Sequence, residues 1–484
     1  MSDLYAVLGV SPEAFEDDIR RAYRAAARRL HPDVNPHRGA ASQFREITAA
    51  YEVLGDAVER ARYDQKRRQQ PPENQYFTLK VTPSSRIVPV LSEPQVLYLL
   101  VELVPDFSLT ATNAHLNLTL VIDHSTSMNG LRLERTKVAA HRLIDQLTAN
   151  DVLSVIAFSD RAEVLVQAAP LTDKNAAKAM ITTLQASGST EIYQGLQAAY
   201  EQNRRYASKN FANHIILITD GRTYGDEEDS LALAQRCVAE GIGISAMGIG
   251  EEWNDAFLDR LASTTGGTSH YINSPNVVQR FLEERLRLLG QAIVERVTLS
   301  LAPDPDVTVE NAFRLSPSAQ PLSHESDPLM IGQILPRLST SVILTLQLPP
   351  IPQPGFRSLI RLAASGDVLW NNRGAYQAVA DISIEAMVKP PAEERPMVIL
   401  DALSKLSLYR IQQKAAEAAA RGDIREATRK LETVATRLLE SGQTELANVA
   451  MAEARRLSST RTLSEEVHKA LKYGTRRLLL PSGE

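Results

Sequence analysis

Cysteine is nearly missing: Cys237 is the one such residue in 484. A single thiol excludes an internal disulfide framework and a cysteine-rich zinc site within one chain, and it suits a reducing compartment. An excess of one charge is missing too. With 53 Lys+Arg against 58 Asp+Glu the formal net charge is -5, which gives no chain-wide attraction to nucleic acid or to an anionic membrane surface. No uninterrupted apolar run reaches the roughly 18 residues of a membrane span. The start, Met1-Ser-Asp-Leu-Tyr, lacks the basic-then-apolar pattern of a signal peptide. The expectation is a cytoplasmic protein with neither nucleic-acid nor membrane partners.

What is present is ordinary globular material, 44% hydrophobic and 23% charged. At roughly 150 residues per domain the length suggests about three units. Ile19, Ala22, Tyr23, Ala26 and Leu30 fall at helical spacing, and Phe44, Ile47, Tyr51 and Leu54 resume it after Pro32 and Pro36. The period therefore predicts a helical domain over 1–66, then a polar linker over 67–74 that contains a double proline. From Tyr76 to Leu103 β-branched and aromatic residues predict strands, the first part of a β-sandwich at 75–110. Between 111 and 290, strand-length apolar runs alternate with amphipathic helix-length stretches, the order of a doubly wound parallel α/β sheet. Strand patterns return over 291–392 and are expected to complete the sandwich, with the α/β domain inserted into it. The remainder, 393–484, turns to Ala, Leu, Glu and Arg with breaks at Gly422 and Gly442, as in a short helical array.

Asp123-His-Ser125-Thr-Ser127 follows directly on the apolar run Leu116 to Ile122. The aspartate thus sits at the carboxyl end of a strand, where open α/β sheets bind ligands. Thr190 lies in the turn Ser187-Gly-Ser-Thr, and Asp220 closes a second buried strand in Ile218-Thr-Asp-Gly. These oxygens suit Mg²⁺, with Mn²⁺ as the alternative, because a small hard cation prefers oxygen ligands and gives up water reluctantly. Neutral hydroxyls leave such an ion electropositive enough to accept an acidic group from a protein partner. Each piece alone has an ordinary use: aspartate and serines cap helices, and aspartate begins turns. Together, Asp-x-Ser-x-Ser, Thr and Asp resemble the metal-ion-dependent adhesion site (MIDAS) of a von Willebrand factor A domain, over about residues 115 to 290. The resemblance implies that Ser125, Ser127 and Thr190 coordinate directly while Asp123 and Asp220 act largely through water. Metal-assisted phosphoryl chemistry is the competing use of bound Mg²⁺. Neither a Gly-x-x-x-x-Gly-Lys-Ser/Thr loop nor a nearby Asp-x-Asp pair supports it, so a binding site without catalysis is expected.

His31-Pro32-Asp33 falls between the two helical stretches of the first segment, where proline ends a helix and fixes an exposed loop. Around it stand Leu4-Tyr5, Leu8-Gly9, Asn35-Pro36, Phe44, Ile47, Ala50-Tyr51, Leu54 and Arg60 to Tyr63-Asp64. These residues resemble a J-domain of the DnaJ family over about residues 2 to 66. Arg20, Arg21, Arg24 and Arg28 occupy the face opposite the apolar stripe and make a positive surface beside the loop. The resemblance implies a DnaK-type chaperone as partner, its ATP hydrolysis stimulated through His-Pro-Asp. After Asp64 neither a Gly/Phe-rich stretch nor Cys-x-x-Cys repeats follow, so the rest of the chain is expected to select the target.

The combined expectation is a co-chaperone adaptor. Two other classes stay open: a metal-dependent subunit of an AAA-type ATPase complex, and a Mg²⁺ phosphoesterase. Weaker features carry structural expectations only. Gly241-Ile-Gly243 and Gly248-Ile-Gly250 suit sheet packing, His141, His214 and His270 lack ligand spacing, and Cys237 suits a core position. The basic run Arg455, Arg456, Arg461, Lys469, Lys472, Arg476 and Arg477 is expected as a solvated helical face.

Overall fold

The computed structural model describes residues 3–69, 75–109, 114–223, 225–272, 277–323, 327–368, 375–392 and 394–478. The chain forms two compact units, one of Met1–Ala114, Gln291–Pro317 and Pro321–Ile399, the other of His115–Gly290, Ser318–Gln320 and Leu400–Glu484.

The first unit opens with helices α1 (Leu4–Leu8), α2 (Glu16–Leu30), α3 (Arg38–Leu54) and α4 (Ala57–Gln69). α2 carries Glu16, Asp17 and Asp18 in its first turn and Arg28 and Arg29 in its last, which complements the helix dipole at both ends. Ile19, Leu30, Ile47, Ala50 and Leu54 close over Tyr5 and Leu8 in a small core. Arg60 Nε donates to Tyr5 Oη at 2.9 Å and Tyr5 Oη donates to Asp64 at 2.8 Å, which fastens α4 to α1. The linker expected at 67–74 starts later, because α4 runs on to Gln69. Lys66, Arg67 and Gln69 are good helix formers, and Arg67 pairs with Asp3 at 3.2 Å. Residues 70–74 lie outside the described part.

Strands β1 (Phe77–Pro83), β2 (Ile87–Pro89) and β3 (Gln95–Pro105) come next. The α/β segment then holds β4 (His115–Asp123), α5 (Leu131–Gln146), β5 (Val152–Phe158), β6 (Ala162–Pro170), α6 (Lys174–Thr182) and α7 (Ile192–Asn203). It continues through β7 (Phe211–Thr219), α8 (Glu227–Ala239), β8 (Gly243–Ile249), α9 (Asp255–Thr264), β9 (Ser269–Ile272) and α10 (Val277–Gly290). After it come β10 (Val294–Pro303), β11 (Thr308–Ser316), β12 (Gln320–Leu322), β13 (Leu329–Ile334), β14 (Thr340–Leu348), β15 (Gly355–Val368) and β16 (Ala375–Met387).

Early and late strands interleave in two five-stranded sheets, ordered β1-β3-β14-β11-β12 and β13-β10-β15-β16-β2. The sandwich is therefore assembled across the inserted domain. In β3, Leu97, Leu99, Val101 and Leu103 alternate inward and are buried. The same strand pairs antiparallel with β14 from Gln95↔Leu348 to Leu103↔Thr340.

The α/β sheet has six strands in the order β6-β5-β4-β7-β8-β9. Its neighbours are parallel except β5 and β6, which are antiparallel. β6 adds an antiparallel edge to the doubly wound parallel sheet expected. Ser159, Asp160 and Arg161 are too short a connection for a parallel crossover, so the chain turns back as a hairpin. One face of the sheet buries Leu118, Leu120 and Ile122, the other Val121, Ile156, Ile215 and Leu217. β4 is flanked by β5 on one side and β7 on the other, so the winding reverses there and the loops beyond the carboxyl ends of β4 and β7 border a crevice. Cys237 is buried in α8, and an added Cβ at Gly243 or Gly248 would strike His214 or Trp253, so these positions serve packing.

Helices α11 (Met397–Ala420), α12 (Ile424–Glu440), α13 (Thr444–Thr460) and α14 (Glu465–Arg477) end the described chain. Gly422 and Gly442 take φ of +80° and +77°, the left-handed conformation that stops a helix and that glycine adopts without steric cost.

Candidate functional site

Parallel pairing sets the first site. In register, Ile122 of β4 faces Ile218 of β7, so Asp123 and the Thr219-Asp220 end emerge side by side. Both carboxylates are fully buried. Asp123 Oδ1 accepts the Ser125 N–H at 2.8 Å, and Oδ2 accepts the Thr219 hydroxyl at 2.6 Å. Burial pushes the Asp123 carboxyl above its ordinary range, and these two hydrogen bonds oppose the rise. Ser125 Oγ and Ser127 Oγ are 3.0 Å apart, and Ser127 Oγ donates to Asp220 Oδ1 at 2.7 Å. Thr190 reaches the same place from the loop before α7. An added Cβ at Gly221 would lie 2.7 Å from Thr190 Oγ1, so only glycine lets the Asp220-Gly221 backbone pass so close. The loops are tied to one another: Thr126 Oγ1 donates to Gly188 O at 2.9 Å, and the Ser187 N–H donates to His124 O at 2.8 Å. The structure thus gathers Asp123, Ser125, Ser127, Thr190 and Asp220 at one end of the sheet. Sequence reasoning missed Thr219, which holds Asp123, and Arg132, whose Nη1 donates to Asp220 Oδ2 at 2.5 Å.

The second site is the loop between α2 and α3. The Val34 and Asn35 N–H groups donate to His31 O at 3.0 and 2.8 Å, closing a tight turn. The side chains of His31 and Asp33 are 45% and 86% exposed, and the Asp33 N–H donates to His31 Nδ1 at 3.2 Å. Arg20, Arg21, Arg24 and Arg28 are exposed along α2. The positive face is weaker than its composition implies, because Arg20 pairs with Glu16 at 2.8 Å and Arg21 with Asp18 at 3.2 Å.

Family models match three parts of the chain: a DnaJ domain at 3–64, a von Willebrand factor type A domain at 117–284, and the Sll0103-like, C-terminal alpha-helical domain at 397–481. The chain joins a DnaJ domain to a von Willebrand factor type A domain. The uncharacterized protein sll0103 of Synechocystis sp. is 28% identical over 381 residues, 76% of this chain and 89% of that one. The chaperone protein DnaJ of Prochlorococcus marinus is 55% identical over 65 residues, 13% of this chain and 17% of that one. Among solved structures, a von Willebrand factor type A protein from Catenulispora acidiphila superposes with a TM-score of 0.65 at 18% identity, covering 84% of this chain and 98% of that one. The ArnB paralog VWA2 from Sulfolobus acidocaldarius gives 0.55 at 15% identity, covering 84% and 100%. At those identities the likeness is one of fold.

The J-domain is fastened to the sandwich through Arg29, the α2–α3 loop and α3. Arg29 pairs with Asp304 and Asp381, each at 3.1 Å, and Asn35 Nδ2 donates to Pro303 O at 2.9 Å. Arg361, buried on β15, donates to Val7 O and to Asp381 Oδ2, the latter at 2.8 Å. An added Cβ at Gly39 would lie 2.0 Å from Leu301 O, so α3 rests directly on β10.

The basic C-terminal run corrects the expectation of a solvated face. Lys469, Lys472 and Arg476 are buried against the von Willebrand A domain. Lys472 pairs with Asp255 and, at 2.8 Å, with Asp259, and Arg476 Nη1 donates to Asp259 at 2.8 Å. Lys469 Nζ donates to Trp253 O at 2.7 Å and lies 4.9 Å from the Trp253 ring centroid. Burial alone would raise both aspartates; His468 and Lys472 bring Asp255, and Arg476 and Lys472 bring Asp259, well below the carboxylate range. Arg455, Arg461 and Arg477 remain exposed.

Proposed function

We propose that this protein is a cytoplasmic co-chaperone adaptor. Its J-domain docks a DnaK-type chaperone and stimulates ATP hydrolysis through His31-Pro32-Asp33, while Arg20, Arg21, Arg24 and Arg28 steer the approach. The von Willebrand A domain captures a target protein through an acidic residue, and it performs no reaction of its own. One observation carries the reading: the J-domain is held to the sandwich through Arg29, Asn35 and Gly39, which leaves the His-Pro-Asp loop and the arginine face turned outward in a chain that also carries the oxygen-rich cluster.

That cluster fits a hard divalent cation. Its donors are hydroxyls and carboxylates, of which Ser125, Ser127 and Asp220 are already linked by hydrogen bonds, and the exposed Ser127 opens the group to the surface. Asp123, Ser125, Ser127, Thr190 and Asp220 would hold Mg²⁺ or Mn²⁺. The ion, when bound, supplies an electropositive centre for a partner's carboxylate.

Immobilised protein incubated with lysate and ATP, in Mg²⁺ and in EDTA, tests both halves. A DnaK-type chaperone should be retained and lost from His31→Gln, and a second protein should be retained in Mg²⁺ only and lost from Ser125→Ala. An AAA-type ATPase as the metal-dependent partner would instead make the chain a subunit of such a machine. Identical captures in Mg²⁺ and EDTA would remove the metal-dependent half.

A further inference from the structure

Arg132 has no place in the donor set above, yet it touches it. It stands in the first turn of α5, directly after the Ser125-Thr-Ser127 loop. A cation there is disfavoured by the helix dipole, which concentrates positive potential at the amino end. Helix stability therefore does not explain the residue. Its Nη1 donates to Asp220 Oδ2 at 2.5 Å and to Ser127 O at 3.3 Å. An added Cβ at Gly250 would lie 2.9 Å from Nη2, which sets the guanidinium beside the turn after β8 as well. The side chain is 37% exposed, whereas the Asp220 side chain is fully buried. A partly solvated cation thus lies against the buried carboxylate on which a divalent ion at this site would depend.

We infer that Arg132 sets the cation affinity of the site, competing with the divalent ion for Asp220. The inference rests on the metal-capture reading. Two positive groups on one carboxylate repel each other, so the ion and the Arg132–Asp220 pair weaken one another. The pair is strong enough to matter because it is a short charge-assisted hydrogen bond to a buried acceptor. Partial exposure keeps it weak enough to yield. The arrangement makes occupancy sensitive to cation concentration, where an acidic pair lacking the guanidinium would fill at lower concentration.

Calorimetric titration of MgCl₂ and MnCl₂ into the purified chain tests this. Arg132→Gln should bind both ions about tenfold more tightly than wild type, and Arg132→Lys should fall between them, since a point charge on a flexible stem holds a carboxylate less firmly. Thermal melts supply an independent reading: Arg132→Gln should melt lower than wild type in EDTA and gain more from added Mg²⁺. If wild type takes up Mg²⁺ and Arg132→Gln takes it up with equal or weaker affinity, Arg132 has no such role while the metal reading stands. If neither protein takes up either ion, the metal reading falls and this inference with it.

Discussion

Replacing Gly39 by alanine asks whether the J-domain is held at one fixed place on the sandwich. The new methyl would sit 2.0 Å from Leu301 O, 2.7 Å from its carbonyl carbon and 2.9 Å from Asp327 Oδ1. A carbon needs about 3.3 Å from a carbonyl oxygen, so α3 must retreat by about 1 Å or more. Leu301 cannot yield in its place: it pairs with Leu362 in β15, and its N–H donates to Asp327 Oδ1 at 2.8 Å. A retreat of that size takes the 2.9 Å Asn35–Pro303 bond beyond hydrogen-bond range and stretches both Arg29 pairs. It also weakens the contact of buried Arg361 with Val7 O. Taking about 1 kcal/mol for the neutral bond and more for the buried guanidinium, the coupling should fall by about 2 to 4 kcal/mol. Because the J-domain has its own core around Ile19, Leu30 and Ile47, it should remain helical by circular dichroism. Amide exchange followed by mass spectrometry is the assay, and protection in peptides spanning α3 and β10 should drop by about 30- to 1,000-fold. Protection within about twofold of wild type would refute the argument, because it would mean that the contact carries no stability.

Two further outcomes concern the other unit. Asp259→Asn removes the carboxylate shared by Lys472 and Arg476, leaves two buried cations half-compensated, and should cost about 3 to 5 kcal/mol, read as loss of α14 protection and faster proteolysis near residue 460. His214 is buried, with Nε2 2.9 Å from Ser245 Oγ, and burial aided by Arg285 pushes its pKa down to about 3. A folded pKa below the unfolded value of about 6.5 means stability is fully present above that pH and declines as pH falls toward 3. Denaturant titrations should therefore lose about 2 kcal/mol more between pH 7 and pH 5 in wild type than in His214→Gln. Equal slopes in the two proteins would contradict the assignment.

Much of this was legible because local chemistry and fold agree. Asp123 and Asp220 each terminate an apolar strand run, and parallel register then forces the two ends together. The His-Pro-Asp turn is likewise local, closed by bonds from residues 34 and 35 to His31. The illegible parts depend on distant partners. Nothing near Gly39 announces that β10 passes within contact distance, and nothing near Arg132 announces Asp220, 88 residues away. Lys469, Lys472 and Arg476 read as a solvated face because their spacing is that of one; the partners that make burial tolerable, the Trp253 carbonyl for Lys469 and Asp255 and Asp259 for the other two, lie more than 200 residues earlier. The β5–β6 hairpin was missed for a simpler reason, the lack of any Asn-Gly or Gly-rich signal in Ser159-Asp-Arg161.

The most direct test of the adaptor account is single-turnover ATP hydrolysis by a DnaK-type chaperone that responds to its own J-domain partner. Wild-type chain should accelerate hydrolysis and His31→Gln should not. Acceleration undiminished in His31→Gln, or absent with wild type, would contradict the account.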